Sequence, residues 1–165
     1  MRVHQPRPAL DALERFLAEP RVARAVASRR VLPAREATFA PLPEWLDPRL
    51  VKAIERRGIK SLYSHQREAL DALHDGQDIA IVTPTASGKS LCYNLPVLQE
   101  ISQDRAARAL YLFPTKALSQ DQLAEFRDLA ELAEMDLSAA VYDGDTPAPI
   151  RATVREAGQV VVTNP

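Results

Sequence analysis

Eight consecutive residues, Thr83-Pro84-Thr85-Ala86-Ser87-Gly88-Lys89-Ser90, combine the side-chain types that hold a polyphosphate. The pattern they approach, G-x-x-x-x-G-K-[ST], forms a loop between a strand and a helix. Backbone N–H groups of such a loop and of the helix N-terminus surround phosphate oxygens, and the helix dipole favours their charge. Thr85, Ala86, Ser87 and Gly88 would line the phosphates, with Gly88 letting the backbone approach closely. Lys89 would reach the β- and γ-phosphates, and the Ser90 hydroxyl would ligate Mg²⁺. Lys89 and Ser90 are therefore the candidate catalytic residues, and Ser90 is the candidate metal ligand. One departure from the pattern matters. Thr83 stands at its first glycine, and Ala86 occupies an interior position that is often glycine. A bare Gly-Lys-Ser tripeptide also suits an ordinary basic turn, so the assignment rests on what flanks it.

A base reader is available upstream. A glutamine amide carries both donor and acceptor, so Gln66 can pair with the N6/N7 edge of adenine and reject guanine. It lies 23 residues before Lys89, a span that one helix and one strand fill. ATP with Mg²⁺ is the expected cofactor pair. Alone, Gln66 would be an ordinary surface glutamine. Tyr63 suits either stacking on the base or packing in the core.

These side chains need a frame, and the downstream sequence supplies one. Residues 79–82, Ile-Ala-Ile-Val, read as a short strand buried on both faces. A helix follows over 88–101, in which Pro96 implies a kink. Strands over 109–113, 139–142 and 160–163 alternate with helices over 116–134 and 149–156. That alternation implies right-handed βαβ units on a parallel sheet, an α/β fold. In such sheets ligands collect beyond the carboxyl ends of the strands. Pro114, Thr115 and Lys116 follow one strand, Gly144 and Asp145 a second, Thr163 and Asn164 a third. Their hydroxyl, amide and backbone donors suit the phosphates of a single-stranded nucleic acid. Each also has an ordinary reading, as a helix start or a turn.

Upstream, Asp47 can cap a helix that Pro48 opens and Gly58 ends, with Leu50, Val51 and Ile54 as its buried stripe. Ser64 can cap the next helix, which runs to Gly76. Residues 1–45 form a separate arm, ahead of a domain over 46–165. The arm has an amphipathic helix over 9–18, a basic stretch over 21–30, and a proline-punctuated strap anchored by Phe39, Leu42, Trp45 and Leu46.

The chain has 165 residues, 46% apolar and 26% charged, ordinary values for a globular protein. No run approaches the roughly 20 apolar residues of a membrane span, and the first residues are no secretory signal. The single cysteine, Cys92, forms no internal disulfide. A cytoplasmic protein without a membrane partner is expected. Residues 1–60 carry 13 Lys and Arg against 7 Asp and Glu, a net of +6, while the remainder carries 8 against 15, a net of −7. The basic half reads as scattered surface arginines, with a polyanion contact as the alternative.

Over residues 30–165 the sequence resembles the first motor domain of DEAD/DEAH-box helicases of superfamily 2, and within them the bacterial DNA-repair branch of the mitomycin-repair-factor type. Ser61-Leu62-Tyr63-Ser64-His65-Gln66 resembles the family's Q motif and residues 83–90 its motif I. Phe113-Pro114-Thr115-Lys116-Ala117-Leu118 resembles motif Ia. Tyr142-Asp143-Gly144-Asp145-Thr146 and Thr163-Asn164-Pro165 resemble later nucleic-acid-contacting segments. The resemblance implies a RecA-like fold and the N-terminal ATP-binding part of an ATP-dependent DNA helicase serving repair, with single-stranded DNA favoured over RNA. It also implies that strand 79–82 lacks its neighbours here. The family's acidic box, SAT motif and second motor domain have no counterpart, so the chain alone is expected not to hydrolyse ATP. The alternatives are a regulatory or vestigial nucleotide-binding module, and a small P-loop kinase or GTPase. Ile59 sits where the family has an aromatic after the glycine equivalent to Gly58.

Overall fold

The computed structural model describes residues 8–30, 36–85 and 87–164. The chain divides into two compact units, one up to Glu36 and one from Ala37. In the first, α1 (Pro8–Ala18) and α2 (Pro20–Ala25) flank Glu19. The basic stretch is helical only in its first part. Leu10, Leu13 and Phe16 of α1 lie exposed, and Arg29 pairs with Glu14.

The second unit opens with the strap. A two-residue strand β1 (Phe39–Ala40) pairs antiparallel with β2 (Leu62–Tyr63), which sequence patterning does not suggest because each partner is too short to show a period. Between them lies α3 (Pro48–Arg56). Asp47 caps it as expected, accepting from the Arg49 backbone N–H at 2.8 Å, and Gly58 ends the turn with φ +79°. The Arg49 side chain and desolvation act on Asp47 in opposite senses, and the hydrogen bonds win, holding its carboxyl down at about 2. Leu42 and Trp45 pack against the core and Leu46 is buried in it. Phe39 is 57% exposed.

The helix α4 (Ser64–His74) starts one residue earlier than capping by Ser64 requires. Tyr63 holds the N-cap position, and the Gln66 side chain accepts from its backbone N–H. The next element is a correction. Residues 79–82 form no strand; they border His65, Glu68 and Ala69 of α4, and Val82 is 95% exposed. An apolar run becomes a strand only when a second backbone pairs with it, and among the described residues none does.

Beyond the loop, α5 (Ser90–Gln103) continues through Pro96 without a break. The sheet follows: β3 (Ala109–Leu112), α6 (Lys116–Leu132), β4 (Ala139–Val141), α7 (Ala148–Ala157) and β5 (Val160–Thr163). The strands are parallel, in the order β3-β5-β4, with Leu112 opposite Thr163 and Val141 opposite Val162. Thus β5 enters between the two earlier strands. The inner face carries Tyr111, Val160 and Val162 against Leu95, Leu98, Phe126 and Leu129, while Leu110 and Leu112 on the other face are exposed.

Candidate nucleotide site and strand-end loops

Residues 83–85 and 87–89 belong to a loop ahead of α5 that is held from three directions. From within, the Lys89 ammonium donates to the carbonyl oxygens of Thr83 at 2.9 Å and Pro84 at 2.7 Å, and to the Thr83 hydroxyl at 3.2 Å. Thr83 Oγ1 and Ser87 Oγ lie 2.6 Å apart. The departure from glycine at position 83 therefore has a local use, since the Thr83 hydroxyl is one of the oxygens that gather Lys89. Ala86 lies outside the described residues, and Thr85 is exposed.

From α4 come two side chains. Gln66 is only 3% exposed, and both ends of its amide are engaged. Its Oε1 accepts from the Tyr63 backbone N–H at 2.9 Å, and its Nε2 donates to the Gly88 carbonyl at 2.8 Å. His65 Nε2 lies 3.1 Å from the Ser87 carbonyl. A carbonyl only accepts, so this nitrogen carries the proton. Gly88 is required twice over. Its φ of +74° favours glycine, and a Cβ there would sit 2.6 Å from Gln66 Nε2.

From α6 comes Glu125, whose Oε1 accepts from the Ser90 hydroxyl at 2.8 Å. Its other oxygen lies 3.5 Å from the Gln122 amide nitrogen, and Gln122 Oε1 in turn accepts from Tyr93 at 2.5 Å. Burial and the Glu125 charge raise the Tyr93 hydroxyl above the usual phenol range. Nothing in the sequence marks Glu125, which reads as one more charged residue on an amphipathic helix. The Ser90 hydroxyl, its proton directed to Glu125, presents a hard oxygen at the start of α5, a donor type that suits Mg²⁺. Among the described residues, no group of three or more His, Cys, Asp and Glu forms a metal cage.

Tyr63 is 40% exposed, so it is no core residue. It stacks between Phe39, centroids 5.1 Å apart, and His65, 5.7 Å apart. This column of rings reaches the loop through His65. Sequence alone marks Phe39 only as an anchor of the strap.

The strand-end residues assemble on the parallel sheet. Thr115 follows β3 and caps α6, its hydroxyl accepting from the Leu118 N–H at 3.2 Å, with Pro114 exposed before it. Lys116 forms an ion pair with Asp145, which lies after β4. That pairing raises the Lys116 pKa. Gly144 is exposed, and its carbonyl accepts from Arg151 at 3.0 Å. Thr163 ends β5 beside Leu112, with Asn164 next to it. The three loops thus share one end of the sheet. Lys116 and Asp145 line a cleft of about 440 Å³ with Asp143 and Thr146. The nucleotide loop meets this assembly through α6, which Thr115 caps and which carries Glu125 ten residues further on.

Among the described residues no helix is long and apolar enough to cross a membrane. Residues 63–165 match the family model of the DEAD/DEAH box helicase. The chain is 53% identical over 131 residues to YprA of Bacillus subtilis, an uncharacterized ATP-dependent helicase, covering 79% of this chain and 18% of that protein. It is 38% identical over 136 residues to the ATP-dependent helicase HRQ1 of Saccharomyces cerevisiae, covering 81% of this chain and 12% of that one. The crystal structure of the DUF1998 helicase MrfA bound to DNA and AMPPNP superposes with a TM-score of 0.76 at 53% identity, over 79% of this chain and 18% of that chain. The DEAD-box helicase Mss116, 17% identical over 73% of this chain and 26% of that one, shares the fold with a TM-score of 0.63. The chain spans less than a fifth of the length of YprA and of MrfA, and it belongs to the DEAD/DEAH box helicase family.

Proposed function

We propose that this chain is the nucleotide-binding part of an ATP-dependent DNA helicase of the MrfA type, serving DNA repair in the cytoplasm. The observation that carries the reading is the Lys89 ammonium, enclosed by the loop's own oxygens at the start of a 14-residue helix. Phosphate oxygens would exchange with those carbonyl and hydroxyl oxygens, and the α5 N-terminus favours the same charge. Ser90 would hold Mg²⁺, which neutralises developing charge on the phosphates when bound. Adenine would lie on the exposed ring column of Tyr63 and Phe39. Gln66 enters this reading differently from the sequence-based expectation. With Oε1 accepting from Tyr63 and Nε2 donating to Gly88, it sets the loop's shape, and one N–H and one Oε1 lone pair are left to offer the base.

Pro114, Thr115, Lys116, Gly144, Asp145, Thr163 and Asn164 would follow the backbone of a single strand, DNA in preference to RNA. The crystal structure of MrfA, a relative bound to DNA and AMPPNP, supports that preference. Phosphate contacts of this kind carry no sequence information. The test is the ATPase rate of the intact protein against single-stranded oligonucleotide concentration. We expect stimulation by DNA of any sequence, weakening steeply with salt. Lys89→Ala should lower turnover by about a thousandfold, because phosphoryl transfer rests on electrostatic positioning. Replacing Thr115 and Lys116 with Ala should reduce the stimulation and leave ATP affinity unchanged. A rate indifferent to both DNA and Lys89→Ala would defeat the proposal.

A further inference from the structure

The Ser90–Glu125 bond joins α5 to α6 beside the Tyr93–Gln122 bond, and its chemistry is directional. A carboxylate accepts and does not donate, so the Ser90 hydroxyl must be the donor, and its proton lies toward α6. Its lone pairs then face away from Glu125. A hydroxyl that ligates a cation is held best when an outer carboxylate takes its proton, because that bond fixes its orientation and raises its basicity. Glu125 is itself held in place. The Gln122 amide borders its second oxygen, and Arg57 donates to its backbone carbonyl at 3.2 Å.

We propose that Glu125 is a positioning residue for Mg²⁺ at Ser90. Its carboxylate takes the hydroxyl's hydrogen bond, fixes the side-chain rotamer, and leaves a lone pair for the metal that accompanies a nucleotide. The residue sits on the helix that Thr115 caps, so the element bearing the candidate nucleic-acid residues also bears the group that prepares the metal ligand. This proposal rests on the reading of residues 83–90 as the nucleotide site.

The test is ADP binding by calorimetry, with excess Mg²⁺ and with EDTA, for the intact protein and its variants. Wild type should bind ADP more tightly with Mg²⁺. Glu125→Gln keeps the size and a weaker acceptor, and should cut that Mg²⁺-dependent gain about tenfold, the scale of outer-shell carboxylate losses. Its affinity in EDTA should stay within about twofold of wild type, as the metal is then out of the cycle. Ser90→Ala should abolish the gain, and adding Glu125→Gln to it should change nothing further. If Glu125→Gln weakens ADP binding equally in both buffers, its role is only to stitch α5 to α6 and the proposal falls. An undiminished Mg²⁺ gain in Glu125→Gln, with binding still lost in Lys89→Ala, overturns this proposal alone. Wild type that binds no ADP in either buffer overturns the nucleotide reading and this proposal with it.

Discussion

The nucleotide loop and the strand-end loops meet the same requirement, a fixed display of polar groups, by opposite means. Thr115 and Asp145 follow β3 and β4, and Thr163 ends β5, so parallel backbone pairing brings the three residues to one end of the sheet. The loop at 83–90 has no such support upstream, since residues 79–82 pair with nothing described. Side chains crossing from elsewhere hold it instead: Gln66 and His65 from α4, Glu125 from α6, and Lys89 from within. Backbone pairing tolerates almost any side chain at a given position. A loop held by side-chain crossings depends on each of them, and each crossing is also a route by which a neighbouring element can change the loop.

The largest expected effect is therefore at the tightest crossing. Gly88→Ala must place a Cβ 2.6 Å from the buried Gln66 amide, at a φ of +74°. The backbone conformation alone costs about 1–2 kcal/mol for a non-glycine residue. Displacing Gln66 adds the loss of two hydrogen bonds, each worth about 1 kcal/mol. We expect a fall in Tm of several degrees and loss of measurable ADP binding. In a Gln66→Ala background the clash is gone, so the same substitution should cost only the backbone strain. Additive effects of the two changes would show that the crossing is not what shapes the loop.

Gln66→Ala alone ranks next. It removes the bond at the start of α4 and the bond to Gly88, for about 2 kcal/mol in stability. ADP and GDP affinities should fall together, because the loop common to both loosens. If Gln66 reads the base instead, the adenine preference would collapse while GDP affinity stayed constant.

What is readable from sequence follows the same division. The elements β3, α6, β4, α7 and β5 are legible within a residue or two, because burial on a parallel sheet leaves apolar runs and helical spacing in the sequence itself. The residues at their ends are placed with them. Gly88, Lys89 and Ser90 are legible as a group because their spacing is local. The partners of that group are not. Glu125 lies 35 residues from Ser90, and its role depends on how two helices face each other. Gln66 stands out for its amide, yet the amide turns inward to Gly88, which no local pattern reveals. Residues 79–82 mislead for the converse reason: their composition asks for a strand, but pairing is a property of two segments.

A smaller effect concerns the far end of α5. The Asp47 backbone N–H donates to Gln99 Oε1 at 2.7 Å, so the start of α3 is tied to the helix that follows the loop. Asp47→Ala should cost about 1 kcal/mol, as for other lost helix caps. Because the folded carboxyl sits at about 2, below its unfolded value, its contribution is present above about pH 4 and lost as pH falls toward 2. Wild type and variant should therefore converge in stability over that interval. ADP affinity should stay unchanged at neutral pH, since the loop's own crossings are untouched.

The smallest effect tests the strand-end side of the comparison. The Lys116–Asp145 pair is exposed, so it contributes little to stability, and Asp145→Asn should leave Tm unchanged. Its consequence lies in binding. An ammonium paired with a carboxylate has less charge to offer a phosphate, and the carboxylate repels the same strand. Asp145→Asn should therefore tighten single-stranded DNA binding and steepen its dependence on salt, by about 0.7 in the log–log slope for one added phosphate contact. Lys116→Ala should shift the slope the other way. If these loops are held by the sheet rather than by their side chains, both variants keep the wild-type affinity for ADP. A change in ADP affinity in either variant would mean that the strand-end loops, too, depend on side-chain crossings, and the contrast between the two regions would fail. An unchanged slope in both would remove Lys116 from the nucleic-acid track.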